Sequence, residues 1–427
     1  MLLSMVLILL VLLALAVPVA AAMGVLGLVL DRMYSSMPLY RASGEIFWTG
    51  GTNFVLVAVP MFVLMGEIML RTGVAGRVYN ALQKWLGWLP GGLMHVNIGA
   101  CAMFAATSGS SVATAATIST FAIPQGKRFH YAEPLFLGSL AAGGTLGILI
   151  PPSINMIIYG MLTDTSVPQL YLAGFIPGFV LATIFSLTVV LMCLIQPKFD
   201  GSRQTASWSA RFKSLPDLLP AFGIFLIVVG SIYGGFATPT EAASLGVVAS
   251  LALAACYRTL SRAMLRDVLE GAMRTSAMVI LITLAAFFLN FVMVSIGLTG
   301  KLTRMVLGLG LTPMGTFFTV VVFYLILGCF LETLSMMVTT IPITAPLLFQ
   351  LGFDPVWYGV VIVILLELAM VTPPVGINLY VVQGVRGHGS LNDVIYGVLP
   401  FVVSMMIMIV LLAIFPGIAT WLPRQFY

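Results

Sequence analysis

The feature that most constrains this chain is a succession of long apolar stretches in which charge is rare. A helix needs about 20 apolar residues, rising 1.5 Å each, to cross the hydrocarbon of a bilayer. Nine stretches are long enough for one crossing apiece: about 2–30, 52–70, 131–163, 173–196, 217–235, 239–257, 272–296, 356–385 and 397–422. Two more, 92–124 and 314–348, are too long for one pass, and each carries a polar or small-residue cluster at its middle. Split there, each half is about 15 residues, too short to span, so both read as re-entrant helical hairpins.

Composition agrees. Of 427 residues, 60% are hydrophobic and only 8% charged, whereas a soluble domain carries about a quarter charged residues. A water-soluble enzyme is excluded, and so is a nucleic-acid binder, because no basic run tracks a phosphate backbone. Four cysteines (Cys101, Cys193, Cys256, Cys329) without ligand spacing and three scattered histidines (His95, His130, His388) point away from disulfide frameworks and metal clusters. Residues 1–30 lack a basic leader ahead of their apolar run, so a retained transmembrane helix is expected there rather than a cleaved signal.

Counting crossings sorts Lys and Arg into 14 on one side and 5 on the other. The positive-inside bias makes the larger set cytoplasmic, with the N-terminus inside and the C-terminus outside. An error in the first helix would move the N-terminus and leave the rest unchanged.

The chain also repeats itself. TGVAGRV (72–78) returns as IGLTGKL (296–302), and Pro124, Pro151 and Pro152 return as Pro346, Pro373 and Pro374, 222 positions later. Five crossings separate the copies, so they enter the membrane from opposite faces. The fold expected is an all-α polytopic membrane protein built on an inverted-topology repeat, with two re-entrant hairpins and two discontinuous helices. Its parts are an N-terminal helix and interfacial segment (1–51), repeat one (52–200), linker and scaffold helices (201–271) and repeat two (272–427). Stretches 73–90 and 297–312 mix basic, aromatic and apolar residues and read as interfacial arms. The polar run 197–216 reads as a cytoplasmic loop joining the halves.

Chemistry concentrates at four places. In the first hairpin, 16 of the 21 residues from Gly99 to Ser119 are Gly, Ala, Ser or Thr. Such a segment lets short helices pack closely and offers hydroxyls and bare carbonyls at its tip; a plain helix-contact face is the other reading. Pro151 and Pro152 remove two donors within an apolar run, predicting unwinding at 150–153. Freed carbonyls there, with Thr145, Ser153 and Asn155, are hard neutral oxygens of the kind sodium can use; a simple proline kink is the alternative. The second copy supplies a tip at Glu332, Thr333 and Ser335, and a break at Thr372, Pro373, Pro374, Gly376 and Asn378. Half-helix N-termini aim positive ends at anions while C-termini hold cations, so tips and breaks converging near the midplane can seat both. Among acids in apolar stretches, Glu332 is the best candidate for coupling; Glu67, Glu241 and Glu367 are expected to cap helices or pair with loop Arg residues.

The run SGSSVATAATI, followed by GTLGILIPPSI and later VTPPVGINLYV, resembles the large membrane subunit of tripartite ATP-independent periplasmic (TRAP) transporters, the DctM-like family. The resemblance covers essentially the whole chain. It implies an elevator-type secondary transporter in a bacterial inner membrane that is driven by Na+ and imports a small organic anion such as a carboxylate or sugar acid. It further implies two partners, a periplasmic substrate-binding protein and a separate small four-helix membrane subunit. By position, sodium would lie at Ser108, Gly109 and Ser110 with Gly144, Thr145 and Pro151, and at Thr333 and Ser335 with Thr372, Pro373 and Gly376. The anion would meet Ser111, Ser153, Asn155, Glu332, Pro374 and Asn378. A stand-alone sodium and organic-anion symporter or antiporter is the competing reading. An intramembrane enzyme is disfavoured by the absence of GxSxG or HExxH elements.

Overall fold

The computed structural model describes residues 1–427, the side chains of Leu2 and Leu13 excepted. Among the described residues it is helical throughout, without strands. In chain order the helices are α1 (Leu2–Ala14), α2 (Val19–Tyr34), α3 (Ser43–Gly51), α4 (Ala58–Arg71), α5 (Val74–Leu86), α6 (Gly92–Ser108) and α7 (Ser111–Arg128). Next come α8 (Glu133–Leu149), α9 (Ile154–Thr163), α10 (Val167–Ile195), α11 (Trp208–Ser214), α12 (Leu219–Tyr233), α13 (Pro239–Cys256) and α14 (Arg262–Ser295). The series ends with α15 (Leu298–Leu307), α16 (Pro313–Leu327), α17 (Thr333–Gln350), α18 (Pro355–Val371), α19 (Ile377–Arg386) and α20 (Leu391–Ile414).

Their boundaries follow local chemistry. Thr238, Thr312 and Asp354 cap α13, α16 and α18 through side-chain oxygens, each just ahead of a proline at the first helical position. Glu241 completes a capping box with Thr238. Six continuous helical segments are long and apolar enough to cross a membrane: 54–71, 167–195, 239–256, 262–295, 333–350 and 391–414. Two further pairs, α8 with α9 and 208–217 with α12, are each bent by 46°. Large apolar side chains such as Phe179, Leu187, Val403 and Ile407 stand exposed around the outside, which a water-soluble monomer does not tolerate on this scale. The chain is a multi-pass membrane protein.

One expectation is corrected at the N-terminus. Ser4 Oγ lies 2.6 Å from the Tyr34 hydroxyl, whereas one continuous helix would hold residues 4 and 34 about 45 Å apart. Stretch 2–30 is therefore two antiparallel helices, α1 and α2, reversed at 15–18. Ala16 there takes φ +53° and Pro18 precedes the new helix, two features that an α-helix cannot carry through. Met1 then sits beside Lys301, its Sδ 3.3 Å from the Lys301 Nζ, so the N-terminus shares a face with Tyr34 and α15. Smaller differences follow at other elements. The hairpin halves have 17, 18, 15 and 18 residues, three of them longer than the 15 expected, and the last, 333–350, is by itself long and apolar enough to cross. The last long helix stops at Ile414, ahead of Pro416.

Element order recurs: helices α5 to α10 and α15 to α20 begin at positions offset by 221 to 224 residues. The helices pack as two groups. In one, α8 lies against α6, α7, α18 and α20, with α10, α16, α17 and α19 around them. In the other, α14 packs on α2, α3 and α4, and α13 on α4 and α12. The α8 and α20 backbones touch through Gly138 and Gly397, where a Cβ at either position would overlap the opposing main chain. Beside that seam the guanidinium of Arg386, 4% exposed, joins Glu133 at the start of α8 to Asp393 at the start of α20, 2.8 Å away. It also donates to the Ser390 carbonyl at 3.2 Å. One buried cation thus ties the two copies of the repeat together. The arm α5, packed chiefly on α6, carries Trp85, whose ring meets Trp208 and Phe212 edge-on, so the polar loop after α10 folds a short aromatic helix onto the arm.

Candidate functional site

The first hairpin tip is two residues long. Gly109 takes φ +60°, a left-handed conformation that suits glycine, and Ser110 then caps α7 by accepting the Ala113 N–H at 3.3 Å. Ser108 Oγ and Thr114 Oγ1, 2.7 Å apart, close the tip internally. Glycines of α8 let it dock: a Cβ on Gly147 would lie 3.0 Å from the Ser110 carbonyl oxygen, and one on Gly144 3.2 Å from that of Ser111.

Beneath the tip, α8 stops at Leu149 and α9 starts at Ile154, with Pro151 and Pro152 in the break, as the loss of two backbone donors demands. Ser153 caps α9, accepting the Met156 N–H at 3.3 Å. Asn155, 2% exposed, leaves its Nδ2 without a partner. The Thr145 hydroxyl donates to the Ala142 carbonyl of its own helix at 2.6 Å.

The second tip is built on a carboxylate. Glu332 caps α17, accepting the Ser335 N–H at 2.8 Å, the Leu334 N–H at 3.2 Å and the Ser335 hydroxyl at 2.6 Å. An anion there is favoured by the positive end of the helix. Thr333, 4% exposed, keeps a buried hydroxyl without a partner. Deeper in the hairpin, Tyr358 donates to Thr344 Oγ1 at 2.8 Å, and the Tyr324 hydroxyl lies 3.2 Å from the same atom and in contact with Thr340.

The second break faces elsewhere. The Thr372 hydroxyl donates to the Leu368 carbonyl at 2.6 Å, Cys329 Sγ approaches the Pro373 carbonyl at 3.4 Å, and Pro374 is exposed. Gly376, at φ +27°, begins α19, and Asn378 reaches back to the Ala141 carbonyl of α8 at 3.3 Å.

A cavity of about 400 Å³ joins these parts, a size suited to a small organic ligand. Ser108, Gly109, Ser110 and Ser111 line it from the first tip, Asn155 from the first break, and Glu332 and Thr333 from the second tip. Gly66, Glu67, Thr275 and Met278 close it from α4 and α14. Of the residues singled out in the sequence, seven thus share one space. Gly144, Thr145, Pro151 and Ser153 lie behind the first tip. Ser335, Thr372, Pro373, Pro374, Gly376 and Asn378 do not line the cavity. Contact between the two helix groups is close here: a Cβ on Gly66 would lie 2.8 Å from the Ser108 carbonyl oxygen.

Two of the three remaining acids behave as expected, Glu67 pairing with Arg71 and Glu241 capping α13. Glu367 does neither. It is 1% exposed within α18, accepts the Ser111 hydroxyl at 2.6 Å and leaves Oε1 without a partner. The signal that could have found it is plain: it is the only ionisable side chain between Tyr358 and Tyr380, and an acid inside a span is a functional candidate by default.

Residues 6–418 match the family model of the tripartite ATP-independent periplasmic transporter, DctM component. The chain is 31% identical to a C4-dicarboxylate TRAP transporter large permease protein of Vibrio cholerae, over 95% of this chain and 94% of that one. It is 32% identical to a sialic acid TRAP transporter large permease protein of the same organism, over 88% of each. An ectoine/5-hydroxyectoine large permease of Ruegeria pomeroyi is 32% identical over 86% of this chain and 85% of its own. In fold, the chain resembles the YdaH transporter of Alcanivorax borkumensis, with a TM-score of 0.62 and 15% identity over 89% of this chain and 88% of that one. The sequence motifs, the paired hairpins and breaks and these matches lead to one conclusion: this chain belongs to the DctM family, the large permease component of TRAP transporters.

Proposed function

We propose that the chain is the permease subunit of a sodium-coupled importer of a small organic anion, working by an elevator movement in a bacterial inner membrane. The observation that carries this reading is the single cavity into which both hairpin tips and the first break open. Its free groups suit the cargo: the unpartnered Asn155 Nδ2 can donate to an anionic oxygen, and the Thr333 hydroxyl can accept a cation. Sodium is assigned to the first tip with the facing α8 and its break (Ser108, Gly109, Ser110, Gly144, Thr145, Pro151). A second sodium position is assigned to the second tip and its break (Thr333, Ser335, Thr372, Pro373, Gly376). Thr145 and Thr372, whose hydroxyls bond their own helices, contribute through backbone. The anion is assigned to the cavity between, toward Ser111, Asn155 and Glu332; Ser153, Pro374 and Asn378, which the resemblance also assigned to it, do not line that cavity.

In this reading the group holding both hairpins moves against the group built on α14, and the two copies of the repeat stand inverted in the bilayer. The basic-residue bias puts the Arg71 and Arg274 ends in the cytoplasm. The α1–α2 reversal leaves that bias untouched, since no Lys or Arg precedes Arg32, and it moves the N-terminus to the periplasmic face with the C-terminus. The cavity reaches Glu67 and Thr275, beside those cytoplasmic ends, so the conformation is inward-facing. The relatives reported above are named for C4-dicarboxylate, sialic acid and ectoine, which favours carboxylate-bearing cargo; delivery by a periplasmic binding protein and a small membrane subunit are inferred from membership of the tripartite family.

The test is uptake by proteoliposomes holding the chain with its small subunit, supplied with the binding protein. Uptake that requires both an inward sodium gradient and the binding protein is the expected result. Uptake by the isolated chain without the binding protein would establish the stand-alone symporter instead, and uptake without sodium would sink the coupling.

A further inference from the structure

α18 is apolar along its inner length apart from one carboxylate, Glu367. No Lys, Arg or His is paired with it among the described residues. Oε2 accepts the Ser111 hydroxyl at 2.6 Å; Oε1 has no partner. A second buried acceptor without a donor lies on α19. Asn378, fully buried, spends its Nδ2 on the Ala141 carbonyl and leaves Oδ1 without a donor. Asn378 and Ser111 meet at Gly144 of α8, whose added Cβ would lie 3.3 Å from Asn378 Nδ2 and 3.2 Å from the Ser111 carbonyl oxygen. Ser111 of α7 thus links the carboxylate on α18 to the face of α8 that Asn378 is seated on, and it supplies Glu367 with its one hydroxyl donor.

A bare carboxylate enclosed this way carries its whole desolvation cost. What Oε1 lacks is a donor, and a proton supplies one without needing room. We propose that Glu367 is a proton-carrying site, separate from the sodium positions, and that it holds a proton in this conformation. The O–H bond forms at Oε1 with a proton from solvent and breaks to return it. Access runs through Ser111, which lines the cavity while donating to Glu367; Met370, one turn beyond the carboxylate, lines the same cavity.

The other titratable groups on elements packed against α18 are engaged elsewhere. Tyr159 donates to the Pro355 carbonyl, Tyr171 to that of Ser153, and Tyr324 bonds Thr340 and Thr344. Glu133, Arg386 and Asp393 bind one another at the far helix ends, Lys127 meets His388, and Glu332 caps α17.

This inference rests on the transport reading only for its second readout. The first is infrared spectroscopy of the purified permease complex in lipid during a pH titration. A carboxylic-acid C=O band present in the wild type, lost in Glu367→Gln and shifted in Ser111→Ala is the expected result. The Ser111 variant keeps the carboxyl and serves if the glutamine variant does not fold. Spectra that superimpose in that region would overturn the proposal. So would a carboxylate band that responds to sodium, which would make Glu367 an ion ligand. The second readout is proton entry per substrate in vesicles carrying a pH-sensitive dye, expected in the wild type and lost in Glu367→Gln; unchanged proton entry in the variant would also overturn it. A wild type with the acid band but no sodium-driven uptake would sink the coupling reading and leave this one standing.

Discussion

The two copies of the repeat use the same backbone plan with different electrostatics. At the tip, Ser110 caps α7 in the first copy and Glu332, 222 positions later, caps α17 in the second. Within the broken helix, Thr145 of the first copy corresponds at the same offset to Glu367 of the second. Asn155 and Asn378 are each the second residue of the helix after the break, yet one faces the cavity and the other braces α8. The first tip and break are thus a neutral cradle of hydroxyls and carbonyls, and the second pair carries both acids. The recurring plan opens backbone groups at both breaks, while side chains at matching positions differ: Ser110 against Glu332 and Thr145 against Glu367.

Three pairs of substitutions test how far that contrast goes. The largest effect is expected where the copies join. Gly397→Ala forces a methyl into the α8 main chain and should cost about 1–3 kcal/mol, read as a lower thermal unfolding midpoint. Gly24→Ala, with open space around it, is the control, and equal midpoints for the two variants would deny the seam its role.

Next come the paired asparagines. Asn155→Ala should lower uptake about tenfold through loss of one polar contact to cargo, with stability unchanged. Asn378→Ala should lower stability by about 1 kcal/mol, because it removes a buried hydrogen bond between copies. Identical profiles for the two variants would erase the distinction between a cavity residue and a brace.

The smallest effect concerns the threonines of the second copy. Thr372→Ala should change the sodium concentration for half-maximal uptake by less than about twofold, since its hydroxyl already bonds a helix carbonyl. Thr333→Ala, losing a free hydroxyl, should raise that concentration about tenfold. A reversed order would place the ion at the break and away from the tip.

Much of this site was legible in the chain because its determinants are local. Consecutive prolines at 151–152 and 373–374 remove donors wherever the chain goes, so the breaks fall where they must. The Gly99–Ser119 run permits close helix contact by size alone. The α1–α2 reversal was hidden for a physical reason: residues 1–30 are apolar almost throughout, so hydropathy carries no sign of a turn, and a proline inside an apolar run reads equally as a kink. Glu367 was visible as a lone acid, but its partner Ser111 lies 256 residues away. Only tertiary structure could show that it neither caps a helix nor meets an arginine. The outward exposure of Pro374 was likewise beyond a pattern that is the same in both copies.

Arg386 has one more consequence. Its guanidinium is held by carboxylates from the opening turns of α8 and α20, next to a glycine contact that admits no side chain. The two halves are therefore pinned to each other at this end of the bundle, and parting them would strip both carboxylates from a buried guanidinium. Under the movement proposed above, one cradle would then carry the other with it, and cargo and counter-charge would cross as a single load.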